Sequence, residues 1–369
     1  MKIQEIHFNH DPERGGTISL SKGAGIGRDG PRTAITAPEW LDGISQPVAY
    51  ARGEITDPVT IKVRFTKGPP NERVTIRAVS PFEPQLRPTG PSRSTTVVGG
   101  VKPRIVAFDP NGESGLHTFE LSGHLDRARV GRTDVVWNWQ QHVAGERWLD
   151  IATTSHLVYV TLHAPGKPWL KATVEALDKP WAEAIDLACQ WAADADSIAD
   201  STALIAEAIY SLPHQRYAAD SVFVDGASAP FNLTQYLHDV KLGADFTNEC
   251  RGIAAALVTF ANLMGDRLCP LQMWPTQGGK NDTQSIMLIG DDVFRSTLFT
   301  RHETATQQAI AASDLSPVFD ACLKLDGHLT VPLGMPLGHI DPNGLDYRFK
   351  LLRTGDFDAL QVLPPRGVF

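Results

Sequence analysis

The chain has 369 residues, of which 42% are hydrophobic and 21% charged, a composition typical of a folded globular protein with room for two domains. Its net charge of −8 gives no general electrostatic attraction to nucleic acid or to an anionic membrane. No run approaches the roughly 18 apolar residues of a membrane-spanning helix, and residues 1–11 lack the apolar core of a secretory signal. We therefore expect a cytoplasmic protein with no membrane insertion and no nucleic-acid partner.

Residues 1–165 are predicted to form a β-sandwich domain with a Gly-rich N-terminal segment. Short apolar runs alternate with turn residues, and from Val59 to Phe65 the odd positions are apolar while the even ones are polar. That period places one face of a strand on a core and the other in water. Trp137 and Trp139 are expected to pack between the two sheets. The predicted strands are 47–51, 59–65, 73–79, 94–98, 104–108, 117–121, 134–140 and 157–162.

A Gly-Ile-Gly-Arg-Asp-Gly run at 25–30 has the spacing of a dinucleotide-binding loop. Such a loop needs a strand before it and a helix after it. Here Pro31 and Arg32 follow at once and the surrounding pattern is of the β type. The run is therefore interpreted as an ordinary loop, and no cofactor is predicted.

A linker at 164–169 separates this material from a second predicted domain, residues 170–369. Its prolines and glycine end the last strand and cannot continue smoothly into a helix. Beyond it, apolar residues recur at helical spacing in 181–193 and 201–211. Cys189 lies on the first of these apolar stripes and is expected to be a core residue.

Cys250 is predicted to lie in the first turn of a helix. The apolar face from Ile253 to Met264 defines this helix, Gly265 is suited to end it, and a polar residue at 247 or 248 can cap its start. The free N–H groups of a helix start favour negative charge, and the thiolate is the nucleophilic form of cysteine. A buried structural cysteine is the alternative, because that is the commoner role of a free cysteine.

Two further residues follow in an order that suits thiol chemistry. A strand-like stretch at 285–290 precedes 294–300 and then His302, and Asp320 lies in an alternating run at 318–325, so two neighbouring strands can hold them beside the Cys250 helix. A base is needed to take the thiol proton, and a carboxylate to orient the base. Taken alone, His302 is also consistent with a surface histidine at a strand end. Asp326, in a turn, is the weaker choice for the carboxylate.

The order helix–Cys250, strand–His302, strand–Asp320 resembles the transglutaminase-like (papain-like) core of a cysteine peptidase superfamily, over residues 201–352. The stretch around Tyr159, followed by Trp169, is similar to bacterial members with a β domain ahead of the core. The resemblance implies a multi-domain protein, with an N-terminal all-β (Ig-like) sandwich followed by an α+β transglutaminase-like core. It implies Cys250 as nucleophile, His302 as general base and Asp320 as the orienting acid.

The expected function is that of a thiol-dependent hydrolase or acyltransferase that acts on amide bonds of a protein or peptide substrate through an acyl-enzyme, without cofactor or metal. Oxyanion stabilisation is required in such chemistry, and Gln235, Tyr236 and the Cys250 backbone N–H are the candidates. The Trp beside the cysteine and the His-Ala-Trp-like signature of transglutaminases proper are replaced by Glu249 and by His302-Glu303-Thr304. The alternative is therefore a non-catalytic binding or assembly protein with a degenerate core.

Overall fold

The computed structural model describes residues 1–11, 13–23, 32–81, 98–142, 147–169, 178–218, 223–226, 229–275, 279–307, 313–338, 346–354 and 357–369. These residues form two compact units, one from 1–164 and 178–196, the other from Pro165–Trp169 and Ser197–Phe369. The segment 178–196 and its helix thus belong to the first unit, whereas the sequence analysis placed them in the second domain. The predicted strand at 94–98 lies almost wholly outside the described residues, and the glycine-rich run at 25–30 entirely so.

The helices are α1 (Ala182–Trp191), α2 (Ile198–Tyr210), α3 (Leu233–Leu242), α4 (Cys250–Leu263) and α5 (Tyr347–Leu351). The strands are β1 (Lys2–His7), β2 (Gly15–Ile18), β3 (Ser21–Lys22), β4 (Thr33–Ala34), β5 (Trp40–Leu41), β6 (Ile44–Ser45), β7 (Val48–Ile55), β8 (Thr60–Thr66), β9 (Arg73–Val79), β10 (Val101–Ala107), β11 (His117–Glu120), β12 (Gly131–His142), β13 (Trp148–Thr161), β14 (Gln215–Tyr217), β15 (Phe246–Asn248), β16 (Cys269–Pro275), β17 (Asn281–Thr283), β18 (Ile286–Leu288), β19 (Leu298–Phe299), β20 (His302–Thr306), β21 (Pro317–Phe319), β22 (Leu323–Leu325), β23 (Leu333–Pro336), β24 (Leu352–Thr354) and β25 (Phe357–Val362).

The first unit is a two-sheet sandwich. One sheet has the strand order β11-β8-β1-β5-β6 and the other β10-β9-β12-β13-β7-β2, and apolar residues of both sheets share one core. Trp137 and Trp139 are fully buried in that core, and the Trp139 ring lies 5.8 Å from the ring of Phe65 in the opposite sheet. The predicted packing of the two tryptophans is confirmed.

The alternation predicted for residues 59–65 is also confirmed, because Ile61, Val63 and Phe65 of β8 are buried while the residues between them are not. The sandwich also contains a parallel pair, since β13 pairs in parallel with β7. Hairpin connections impose antiparallel pairing only on strands joined by a short turn. About a hundred residues separate β7 from β13, so no turn constrains their direction.

His156 is a buried histidine within the sandwich core. Its ring lies 4.9 Å from the rings of both Phe8 and Trp137, and its Nε2 atom is 2.8 Å from the Thr154 hydroxyl. Its Nδ1 atom has no hydrogen-bond partner among the described residues. Burial therefore lowers the pKa of His156 from 6.5 to about 3.

This histidine is expected to make folding sensitive to acid. Below about pH 6.5 the unfolded chain binds a proton at His156, whereas the folded chain binds one only near pH 3. The free energy of unfolding is therefore largest above pH 6.5 and decreases as the pH falls towards 3. The loss is about 1.4 kcal/mol per pH unit. Urea unfolding of the wild type should show about 2 kcal/mol more destabilisation from pH 7.5 to pH 5 than that of His156→Phe. Equal pH dependence in the two proteins would contradict this expectation.

The second unit combines helices with a five-stranded sheet of order β23-β21-β20-β16-β25, and α4 packs against β16 and β20 of that sheet. Helix α4 is buried along its whole length, which confirms the predicted helix. It is followed by Gly265 in a left-handed conformation with φ of 102°, as a helix-ending glycine requires. No helix in the described part of the chain is long and apolar enough to cross a membrane.

The alternating run at 318–325 is not the single strand that the sequence predicts. Strand β21 ends at Phe319 and β22 begins at Leu323, and the two belong to different sheets. The break has a local cause, because the Asp320 Oδ1 atom accepts a hydrogen bond of 2.8 Å from the backbone N–H of Cys322. An aspartate that bonds to the backbone two residues ahead forms a turn and interrupts a ladder.

Candidate active site

Three elements of the second unit carry the candidate residues. Cys250 is the first residue of α4, His302 is the first residue of β20, and Asp320 directly follows β21. Strands β20 and β21 are antiparallel neighbours, with Ala305 opposite Phe319, as the sequence analysis expects. Because α4 packs against β20, the start of the helix and the ends of two strands meet in one place.

The His302 imidazole is bonded to the Asp320 carboxylate. The distance from His302 Nε2 to Asp320 Oδ2 is 2.8 Å, and the exposed fractions of the two residues are 0% and 1%. Burial alone would lower the pKa of His302, but the Asp320 carboxylate and the Cys250 thiol oppose it and raise this pKa to about 10. The imidazole is therefore expected to carry a proton at neutral pH.

The other ring nitrogen of His302 is available for proton transfer. The Cys250 thiol lies within hydrogen-bonding range of the ring, and Nδ1 has no other partner among the described residues. Because Nε2 is hydrogen-bonded to Asp320, Nδ1 is the nitrogen that can exchange a proton with the Cys250 sulfur. The Phe299 ring stacks on the imidazole at 4.7 Å between centroids and limits its rotation.

Tyr217 is a second neighbour of the Cys250 thiol, and the sequence analysis missed it. Strand β14 pairs in parallel with β15, which leads into Cys250, and this pairing sets Tyr217 opposite Asn248. The Tyr217 hydroxyl is within hydrogen-bonding range of the thiol, and burial and the Cys250 charge raise the pKa of Tyr217. The hydroxyl therefore keeps its proton and can donate to the sulfur.

Tyr347, in the short helix α5, is the other contact that the sequence analysis missed. Its hydroxyl lies 2.6 Å from Asp320 Oδ2 and 3.0 Å from His302 Nε2. Helix α5 is capped by Asp346, whose side chain accepts a hydrogen bond of 2.8 Å from the Phe349 N–H. The tyrosine follows Asp320 by 27 residues, and no motif or periodicity in that interval points to a polar role.

Glu249, which precedes the candidate nucleophile Cys250, makes ion pairs on both sides of the site. Its carboxylate is 3.2 Å from Arg251 Nε and 2.9 Å from Arg301 Nη2. Glu249 is also the N-cap residue of α4, one residue later than the predicted caps. The second ion pair joins the start of the Cys250 helix to the residue before His302, and a negative charge at a helix start is itself favourable.

The other three cysteines are poor nucleophiles. Burial raises the pKa of the Cys189, Cys269 and Cys322 thiols, so they stay protonated, and all four cysteines of the chain are free thiols. Cys189 lies in a core, as predicted. Within the described ranges, no three His, Cys, Asp or Glu side chains are grouped so that they could hold a metal ion.

The two side chains predicted as oxyanion donors both lie on α3. The Gln235 amide donates to Asp239 Oδ1 at 2.6 Å. The Tyr236 ring lies in an aromatic cluster, and its buried hydroxyl has no partner in the described part of the chain. Neither shows a hydrogen bond to Cys250 among the described residues, so their role stays a prediction.

Comparisons with known proteins do not assign the chain to a family. No family model and no curated protein sequence match the chain. Among solved structures, the chain is similar to a transglutaminase of red sea bream, at 10% identity and a TM-score of 0.35, with 74% of this chain and 49% of that chain covered. The chain thus spans about half the length of that protein.

Proposed function

We propose that the protein is a thiol-dependent hydrolase or acyltransferase that acts on amide bonds of a protein or peptide, in a transglutaminase-like core preceded by an Ig-like sandwich. One observation carries the proposal. His302 has one nitrogen bonded to a buried carboxylate, and the Cys250 thiol lies within hydrogen-bonding range of the imidazole, whose Nδ1 has no other partner among the described residues. A base oriented in this way beside a helix-start cysteine is the arrangement that nucleophilic catalysis needs.

The first half-reaction forms an acyl-enzyme. His302 carries the proton on Nδ1 beside the sulfur, and Cys250 attacks the amide carbonyl carbon as the thiolate to give a tetrahedral oxyanion. The C–N bond then breaks, and the leaving amine takes the proton from His302. In the second half-reaction, water or an amine gives a proton to His302 and attacks the thioester, and the C–S bond breaks to release the acyl product and restore the thiolate beside the protonated imidazole.

The Asp320 carboxylate stabilises the imidazolium that forms in both halves of the reaction. The backbone N–H of Cys250 is the proposed oxyanion donor, because the first N–H groups of a helix have no acceptor within the helix. The side chain of the N-cap residue, Glu249, makes no capping hydrogen bond to α4, so it does not compete for those N–H groups. Gln235 and Tyr236 are the further candidates, and Gln235 would have to release Asp239 to serve.

Thiol labelling tests the proposal. Iodoacetamide at pH 7 should modify Cys250 much faster than the other three cysteines, because their raised pKa values keep them protonated. Fast labelling should disappear in Cys250→Ala and persist in the matched control Cys269→Ala. His302→Ala should slow the labelling of Cys250 by at least about tenfold, since the proton acceptor is lost.

An acyl-enzyme should also be trapped as a mass increase on Cys250 when the protein is incubated with an activated ester of an acylated amino acid. If Cys250 reacts no faster than Cys269, or no acyl-enzyme forms, the protein is better described as a non-catalytic binding or assembly protein.

A further inference from the structure

The Tyr347 hydroxyl is placed between the two groups that control proton transfer in the site. Asp320 Oδ2, His302 Nε2 and Tyr347 Oη form a closed triangle with sides of 2.8, 3.0 and 2.6 Å. We propose that Tyr347 is a positioning residue that donates to Asp320 Oδ2, shares this oxygen with the imidazole, and weakens the hold of the carboxylate on the imidazole proton. The inference rests on the proposed function, since it concerns how the base of that reaction is tuned.

The direction of the hydrogen bonds follows from the chemistry of the three groups. The pKa of Tyr347 is raised by burial and by the Asp320 charge, so the hydroxyl stays protonated and is the donor to the carboxylate. The other carboxylate oxygen, Oδ1, already accepts the Cys322 N–H at 2.8 Å. Oδ2 is therefore the only oxygen of Asp320 that faces the imidazole, and the phenol competes with His302 for it.

The location of the hydroxyl argues against a merely structural tyrosine. Tyr347 is fully buried, and both hydrogen bonds found for its hydroxyl go to residues of the site. Its helix is held independently of that hydroxyl, by the Asp346 cap and by a 2.9 Å bond from the Arg348 N–H to the Leu337 carbonyl. A phenylalanine could fill the same volume, so the phenol oxygen has an electrostatic effect that packing does not require.

Removing the Tyr347 hydroxyl should shift the titrations of the site to higher pH. A carboxylate that loses one of its donors binds protons more tightly and attracts the imidazole proton more strongly. The pH at which the site takes up a proton in acid and the pH at which His302 loses its proton in alkali both rise. Among the described residues, the titratable groups that act on His302, Asp320 or Tyr347 include Cys250 and Cys322, and these two cysteines in turn interact with Tyr217 and Glu249. All four remain in a Tyr347→Phe variant.

The test is the pH profile of Cys250 alkylation by iodoacetamide, together with an NMR titration of His302 labelled with ¹³C at Cε1 and assigned by its absence in His302→Gln. In Tyr347→Phe we expect both profiles to move to higher pH by about one unit, the usual effect of a hydrogen bond to a charged group. The matched control is Tyr159→Phe, which removes a tyrosine hydrogen bond to Asp186 Oδ1, of 2.9 Å, in the first unit. It should leave both profiles in place.

A second variant covers the case in which Tyr347→Phe does not fold. 3-Fluorotyrosine at position 347 keeps the shape of the ring but has a more acidic hydroxyl, which donates more strongly, so both profiles should move to lower pH. An unmoved His302 titration in a folded variant overturns the proposal, even if the melting temperature falls. If Cys250 of the wild type is not selectively labelled, the proposed function fails, and the His302 titration still decides the role of Tyr347.

Discussion

Replacing Asp320 with asparagine is expected to slow acylation of Cys250 by about 10³–10⁴-fold at neutral pH while the fold is retained. The reason lies in the hydrogen bonds of this carboxylate. Oδ1 accepts the Cys322 N–H, so the oxygen of an asparagine amide must take that position and its NH₂ group must face His302. A donor at that place makes Nε2 the acceptor and puts the proton on Nδ1. The nitrogen beside the Cys250 thiol can then no longer take a proton.

The measurement is the rate of acyl-enzyme formation with an activated ester, followed by mass spectrometry. Asp326→Asn, at an exposed turn, is the matched control and should stay near the wild-type rate. A loss of less than about tenfold in Asp320→Asn would show that the carboxylate does not set the tautomer of His302.

Stability provides a second measurement on the same variant. The folded pKa of His302, about 10, lies above its ordinary value of 6.5. The contribution of this residue to stability is therefore complete below pH 6.5 and lost as the pH rises towards 10. Asp320→Asn should reduce that alkaline loss, because the Asp320 charge is the largest of the effects that oppose the lowering of the His302 pKa by burial.

Replacing Arg366 with methionine is expected to destabilise the second unit by about 3–5 kcal/mol. The guanidinium bonds to both carboxylate oxygens of Glu303, with a distance of 3.0 Å from Nη2 to Oε2, and Gln272 donates to the same Oε2 at 2.6 Å. The side chains of Arg366 and Glu303 are only 3% and 1% exposed. Removal of the Arg366 guanidinium leaves the buried Glu303 carboxylate without its counter-charge. No ion pair then offsets the free energy of desolvating that carboxylate.

Urea unfolding of Arg366→Met and of the double variant Glu303→Gln/Arg366→Met tests this expectation. The double variant should regain most of the loss, because a neutral amide can still bond to Gln272 without burying a charge. Equal destabilisation in the two variants would mean that lost packing, and not the unpaired charge, accounts for the effect. Glu303 alternates with His302 on β20, so its side chain lies on the other face of the strand.

The site could be predicted in part because its three residues carry local signals. The apolar period of 253–264 identifies the helix that begins at Cys250, and the observed helix begins at that residue. The β-type patterns around His302 and Asp320 indicate neighbouring strands, and β20 and β21 are paired. Alternation along 318–325 nevertheless predicts a strand through Asp320, where the side chain of that residue makes a turn instead. The spacing of apolar residues does not reveal that the Asp320 side chain accepts a hydrogen bond from the nearby backbone.

Sequence by itself determined the elements whose cause is local: the half-buried strand β8, the core tryptophans of β12 and the buried helix α4. Their spacing of apolar residues reflects the geometry of one strand or one helix. Tertiary structure alone decided the parallel pairing of β7 with β13, the Glu249–Arg301 ion pair, and the contacts of Tyr217 and Tyr347 with the site. Each joins groups that are distant along the chain and meet only after the sheets and helices have packed. The spacing of residues along one strand or helix does not indicate such contacts. In the sequence, Tyr347 therefore looks like any other core aromatic residue, although it bonds to the His302–Asp320 pair.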